Sequence, residues 1–284
     1  MKIITSVKQM QRLSRKLKAE NKSIGFVPTM GFLHEGHISL VKKSKQKSDV
    51  TVVSIFVNPA QFAPNEDFEK YPRDLRHDKN LLTASGADYL FIPDVSEIYQ
   101  PNYQTFVEVN EISRILEGEF RPFHFKGVAT ILSILFNCVL PDYTFFGQKD
   151  AQQVAVIRQM TKDLKFTTEI IACPIVREKD GLAMSSRNIY LSINERSDAL
   201  VLFKALKLAE KLVMEGERLT DIIISKMINE INSIDSSKID YVRIVDVGKF
   251  SPVDSLISGG KYYFLIACKI GNTRLIDNVI IKVS

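Results

Sequence analysis

The chain has 284 residues, of which 25% are charged and 45% hydrophobic, with a formal net charge of +5. Such a length buries one large or two modest cores, and such a composition excludes a disordered or fibrous chain. The charge is mild and carries no dense lysine or arginine tract, so it does not call for nucleic acid and suits a small anionic substrate better.

The N-terminus, Met1-Lys2-Ile3-Ile4, has no apolar signal-peptide core, and no run of about 18 apolar residues predicts a membrane span. Residues 6–20 set Val7, Met10, Leu13 and Leu17 at helical spacing among Lys8, Arg12, Arg15 and Lys18. This predicts a first helix docked on the core, in preference to a membrane-surface helix. Apolar runs at 24–27, 50–57 and 87–92 alternate with helical patterns at about 36–48 and 73–85. That rhythm predicts a parallel sheet with helices on both faces. Residues 127–140 are apolar nearly all round, which predicts a central helix stopped by Pro141. A strand at 143–146, a helix at 150–164 and a strand at 168–176 follow, the last leaving the sheet near Pro174. Beyond about residue 180 the order changes to helices at 195–215 and 219–234, then strands at 241–247, 262–270 and 274–283. The expected fold is therefore a Rossmann-like, doubly wound α/β domain over residues 1–176 and a smaller α+β domain over 177–284. Cys138, Cys173 and Cys268 are odd in number and widely spaced, and form no CxxC. They are expected to be buried thiols of a cytoplasmic protein, without a disulfide framework or thiolate metal site.

Four clusters carry chemistry. Pro28-Thr29-Met30-Gly31-Phe32-Leu33-His34-Glu35-Gly36-His37 follows a predicted strand and opens a predicted helix, and it holds two of the chain's four histidines. A helix start presents unpaired N–H groups, so this turn suits a nucleotide triphosphate. Metal binding and a structural pair are the other readings. The histidines are three apart, whereas a zinc helix motif needs four, and no third ligand stands nearby. Phe56-Val57-Asn58-Pro59-Ala60-Gln61-Phe62 follows the next strand, where side chains face the ligand crevice of an open sheet. Asn58 and Gln61 offer neutral donors and acceptors to a hydroxylated carboxylate, or they merely cap a loop. Phe146-Gly147-Gln148-Lys149-Asp150-Ala151-Gln152-Gln153 brings a glycine for close approach and a lysine for phosphate. Asp150 is either a ligand or a helix cap. Met184-Ser185-Ser186-Arg187-Asn188 offers two hydroxyls and a guanidinium beside Gly181. Arg121-Pro122-Phe123-His124 adds a cation, catalytic or in a structural Arg–Glu pair with Glu117 just ahead, and His77 lies in a charged helical stretch.

In this order and spacing, the motifs PTMGFLHEGH, FVNPAQF, FGQKDAQQ and GLAMSSRN resemble those of the pantothenate synthetases. These are the pantoate–β-alanine ligases of coenzyme A biosynthesis, within the wider HxGH nucleotidyltransferase superfamily. The resemblance spans nearly the whole chain. It implies that ATP is bound by Met30, Gly31, Phe32, Leu33, His34, Glu35, Gly36 and His37. It adds Gly147, Gln148, Lys149 and Asp150, then Met184, Ser185, Ser186 and Arg187, with Val176 against the adenine. Gln61 and Gln153 would hydrogen-bond pantoate, with Asn58 and Arg121 beside the substrates and Gln61 also reaching β-alanine. His37 would be the proton donor, and His34, Lys149 and Arg187 would stabilise developing charge. The resemblance further implies magnesium with ATP, a pantoyl-adenylate intermediate and a homodimer. Phe123, Gln148 and Ala151 depart from the family's usual Gly, Glu and Tyr. Three alternatives share the histidine turn: a nucleotidyltransferase whose product keeps the nucleotide, a tRNA synthetase, and a nucleotide-sensing module.

Overall fold

The computed structural model describes residues 1–64 and 66–284, which cluster into two compact units. One unit is Met1–Gln148 with Gln152–Pro174; the other is Lys149–Ala151 with Ile175–Ser284.

The first unit is a six-stranded sheet in the order β1-β4-β3-β2-β5-β6, with every neighbouring pair parallel. Its strands are β1 (Lys2–Ile4), β2 (Ile24–Thr29), β3 (Val50–Ile55), β4 (Tyr89–Phe91), β5 (Tyr143–Gly147) and β6 (Glu169–Cys173). Its helices are α1 (Val7–Ala19), α2 (Glu35–Lys47), α3 (Leu75–Ala84), α4 (Val95–Ile98), α5 (Glu117–Phe120), α6 (His124–Val139) and, from Gln152 on, α7 (Ala151–Asp163). Side chains alternate across the sheet, and two cores result. Ile24, Phe26 and Val52 pack with Met10 and Leu17 of α1, with Val128, Leu132 and Phe136 of α6, and with Ile157 of α7. Val27, Val53 and Phe145 pack with Ile38 and Val41 of α2 and Leu82 of α3. Helices thus cover both faces, as the doubly wound pattern requires.

Boundaries differ from expectation where backbone chemistry intervenes. The predicted strand at 50–57 ends at Ile55, ahead of the 3₁₀ turn Pro59–Gln61. The strand predicted over 168–176 does leave the sheet at Pro174, as expected: it ends at Cys173, because proline has no N–H for the ladder. Helix α6 begins at His124, three residues earlier than predicted, and closes on Leu140 in the left-handed conformation just before Pro141.

The second unit is a three-stranded antiparallel meander, β7 (Ser237–Asp246), β8 (Lys261–Ile270) and β9 (Thr273–Lys282). Helices α8 (Ile193–Asp198), α9 (Leu200–Met214) and α10 (Thr220–Ile231) precede it. Leu202, Leu206, Ile223 and Met227 bury against Val242, Phe264 and Ile266 in a single core. The helix predicted over 195–215 is divided at Ala199, with Ser192 and Glu195 forming a capping box at the start of α8.

Candidate active site

In the first unit the sheet order reverses between β2 and β5, which are adjacent. Ligands of open α/β sheets bind beyond the strand ends at such a switch point. The histidine turn follows β2, and Gly147 ends β5.

After β2 the chain turns through two left-handed residues, Gly31 (φ 84°) and Phe32 (φ 51°). Phenylalanine rarely adopts that backbone, so something must hold it there. The Asp78 carboxylate of α3 does so, accepting the Phe32 N–H at 2.9 Å and the Leu33 N–H at 2.7 Å. Asp78 is 1% exposed. Burial raises its carboxyl above the ordinary 3.8, against the pull of those two N–H donors. Nothing in the local sequence marks this residue. It sits in a charged run that reads as a solvated helix face, and its partner lies 45 residues away.

His34 then caps α2. Its Nδ1 accepts the Gly36 N–H at 3.1 Å, and the His37 Nδ1 accepts the His34 N–H at 3.3 Å. The two rings lie 4.1 Å apart at 48°. With both Nδ1 atoms accepting, each neutral ring carries its proton on Nε2, so the turn presents imidazole N–H donors at a helix N-terminus.

The NPAQF segment joins this turn. The Gln61 Nε2 donates to the Met30 sulfur at 2.9 Å, and its Oε1 accepts from the Asn58 Nδ2 at 3.1 Å. Asn58 is 1% exposed. Its Nδ2 also donates to the Gly127 carbonyl at 3.1 Å, and its Oδ1 accepts the Ala60 N–H and the Tyr99 hydroxyl. Burial pushes the Tyr99 phenol up, so that hydroxyl stays a donor. Asn58 thus fixes Gln61 from within the protein. Gly127 lets α6 approach: a Cβ there would run into the Ala60 carbonyl and the Gln61 Cα.

Arg121 pairs with Glu66, not with the nearby Glu117, through two hydrogen bonds of 2.8 and 2.7 Å. The Gln61 carbonyl accepts from Arg121 at 3.4 Å and from the His124 Nδ1 at 3.0 Å. The bulky Phe123 does not disturb this arrangement, for it stands 65% exposed. Met30, Asn58, Gln61, Arg121 and His124 therefore converge, as the spacing alone could not reveal.

At the end of β5, a Cβ placed on Gly147 would meet nothing within 4 Å, so that face of the backbone is open to close approach. A 3₁₀ turn, Gln148–Asp150, leads into α7. The adjacent glutamines at its start differ. Gln152 is 4% exposed, with its amide spent on the Ile112 and Ile115 carbonyls and the Glu117 N–H. Gln153 is only half-buried.

In the second unit, residues 177–183 form a small hairpin. Arg177 bridges Ala183, Gly181 turns at φ 105°, and the Met184 N–H reaches the Val176 carbonyl at 3.0 Å. The Ser185 hydroxyl accepts the Arg187 N–H at 3.3 Å and caps the 3₁₀ turn Ser186–Tyr190. The Asn188 Nδ2 ties that turn back to Glu178 and to the Ala183 carbonyl, both at 3.1 Å. The Met184–Arg187 segment is therefore held at both ends. Among the described residues, no three His, Cys, Asp or Glu side chains gather as a metal group, and no helix is long and apolar enough to cross a membrane.

Comparison with known proteins shows the family. The family model described as pantoate-beta-alanine ligase matches residues 2–280. The pantothenate synthetase of Caldicellulosiruptor saccharolyticus is 51% identical over the full length of both chains. That of Thermotoga petrophila is 50% identical over 99% of this chain and 100% of its own. The crystal structure of pantothenate synthetase from Thermus thermophilus superposes with a TM-score of 0.92 at 38% identity, covering 98% of this chain and 99% of its own. The pantoate-beta-alanine ligase of Francisella tularensis, complexed with beta-gamma ATP and beta-alanine, gives 0.80 at 35%, covering 99% and 97%.

Proposed function

The chain belongs to the pantoate-beta-alanine ligase family, and from that premise we propose how its own residues join pantoate to β-alanine with ATP. The observation that carries the assignment is the histidine turn: two imidazoles with Nδ1 accepting from backbone, at a helix N-terminus beyond a central parallel strand.

A free carboxylate acylates poorly because its leaving group would be oxide. Adenylation removes the obstacle. A pantoate carboxylate oxygen attacks the α-phosphorus of ATP, the bond to the bridging oxygen breaks, and pyrophosphate leaves. The β-alanine nitrogen then attacks the acyl carbon and loses a proton, and the carbon–oxygen bond to AMP breaks. Magnesium enters with ATP as part of the substrate.

Charge grows on the phosphate oxygens in the first step, so placed donors supply the catalysis. His34 and His37 fill that role from the first unit, with His37 donating the proton. The backbone from Met30 to Gly36, Glu35 included, lies along the nucleotide. Gly147 and Gln148 admit the nucleotide, while Lys149 and Asp150 meet its phosphates. Ser185, Ser186 and Arg187 add hydroxyls and a guanidinium, and Met184 and Val176 flank the adenine. Gln61 holds pantoate and reaches β-alanine; Asn58, Arg121 and His124 act by fixing Gln61. Gln153 binds pantoate from the first turn of α7. The support for this division is that Asn58 and Arg121 are engaged within the protein, whereas Gln153 is half-buried beside a fully engaged Gln152.

An adenylate hydrolyses readily, so we assign residues 177–284 the part of a lid that excludes water. The protein is further proposed to be a cytoplasmic homodimer. Its cysteines are all unpaired and buried, which supports a reducing compartment. Product analysis tests the function. Pantothenate with AMP and pyrophosphate is the expected outcome, and a nucleotide-bearing product would instead make the chain a nucleotidyltransferase.

A further inference from the structure

Two consecutive residues of β9, Asp277 and Asn278, are 4% and 1% exposed and belong to no substrate-binding motif. Both side chains are committed to the segments that carry the proposed phosphate contacts. The Asp277 carboxylate takes the Arg177 guanidinium in a two-pronged pair, at 2.6 Å from Nη1 and 2.9 Å from Nη2. The same guanidinium donates to the Gly181 carbonyl at 2.9 Å and to the Asn278 carbonyl at 3.2 Å. Arg177 also lies against the Phe203 ring, 4.6 Å from its centroid. The base of the 177–183 hairpin, from which Met184–Arg187 emerges, is thereby fastened to β9. The Asn278 Nδ2 donates to the Lys149 carbonyl at 2.9 Å, and the Asn278 N–H donates to Asp277 at 2.7 Å. One dipeptide thus grips two stretches of chain, through partners 100 and 129 positions before it.

We propose that Asp277 and Asn278 are positioning residues: they hold Lys149 and the Met184–Arg187 turn in one fixed arrangement, so that ammonium, hydroxyls and guanidinium meet the triphosphate as a set. The inference rests on the phosphate roles given above for Lys149 and Arg187. Its physical basis is that a displacement of about an ångström in groups that stabilise a transition state can cost on the order of a hundredfold in rate. A two-pronged arginine–carboxylate pair fixes direction as well as distance, which a single hydrogen bond does not.

The test compares N278A, the double variant R177M/D277L and K149A in pantoate-dependent ATP–pyrophosphate exchange, with thermal melting alongside. Replacing both members of a buried ion pair by apolar residues of similar bulk often preserves stability. The double variant therefore separates positioning from folding. N278A and R177M/D277L are expected to lower kcat/KM for ATP by roughly tenfold to a hundredfold while leaving KM for pantoate within about twofold. The double variant is expected to do so with a melting temperature near that of the unmodified chain. Exchange at the unmodified rate in both variants would overturn the proposal, whatever their melting temperatures, and so would an equal rise in KM for both substrates. If K149A itself exchanges normally, the phosphate role of Lys149 fails first, which is distinct from normal N278A beside a crippled K149A.

Discussion

The Asp78 carboxylate on α3 accepts the Leu33 amide at 2.7 Å and so holds the last residue before the histidine cap of α2. Its second oxygen holds Phe32, whose left-handed backbone costs about 1–2 kcal/mol in a residue other than glycine. The histidine turn is therefore shaped by a buried carboxylate on a different helix.

Asp78→Asn keeps the shape of the side chain but offers one acceptor oxygen where two N–H groups need one each. The freed N–H lets the turn relax, and pantoate-dependent exchange is expected to fall roughly tenfold to a hundredfold. A rate ratio near one, measured on folded protein, would remove Asp78 from this role.

The same residue has a pH signature. Burial raises the Asp78 carboxyl above its ordinary 3.8. Between that value and the raised one, the folded chain holds a proton that the unfolded chain has released. Asp78's contribution to stability therefore declines as pH rises through this interval and is constant above it. The asparagine variant has no such group. Melting temperatures of the two chains, compared along an acid pH series, should converge in favour of the variant as pH rises across the interval. A difference independent of pH would contradict the assignment.

Lys149→Ala is expected to slow adenylate formation by about a hundredfold to a thousandfold, or roughly 3–4 kcal/mol of transition-state stabilisation. Single-turnover release of pyrophosphate from ATP and pantoate, without β-alanine, reads this directly, and the fold should be unaffected.

Gly127→Ala places a methyl group where the Ala60 carbonyl and the Gln61 Cα already lie. Overpacking of this kind costs about 1–3 kcal/mol. Because the strain falls on Gln61, KM for pantoate should rise more than KM for ATP. A thermal melt combined with steady-state kinetics checks both effects.

Much of the fold was legible because periodicity reports burial. The alternation Ile24, Phe26 against Val27 anticipates a sheet covered on both faces, and the all-round apolar stretch 127–140 anticipates a central α6. Strand β1 was missed because three residues carry no measurable period, and β7 was predicted four residues short because its first residues are polar or half-exposed. For the candidate site, the residues given chemical roles stand in compact motifs that can be read locally. The residues that hold them in place do not. Asp78, Glu66, Asp277 and Asn278 act across 46, 55, 100 and 129 positions of chain, and a long-range hydrogen bond leaves no trace in local spacing.

The central claim is that this chain activates pantoate as an adenylate before β-alanine takes part. Isotope exchange between labelled pyrophosphate and ATP, run without β-alanine over a panel of hydroxy acids, tests it most directly. The account predicts rapid exchange with pantoate and none with the other acids. Exchange that needs β-alanine, or that proceeds without any acid, would contradict it.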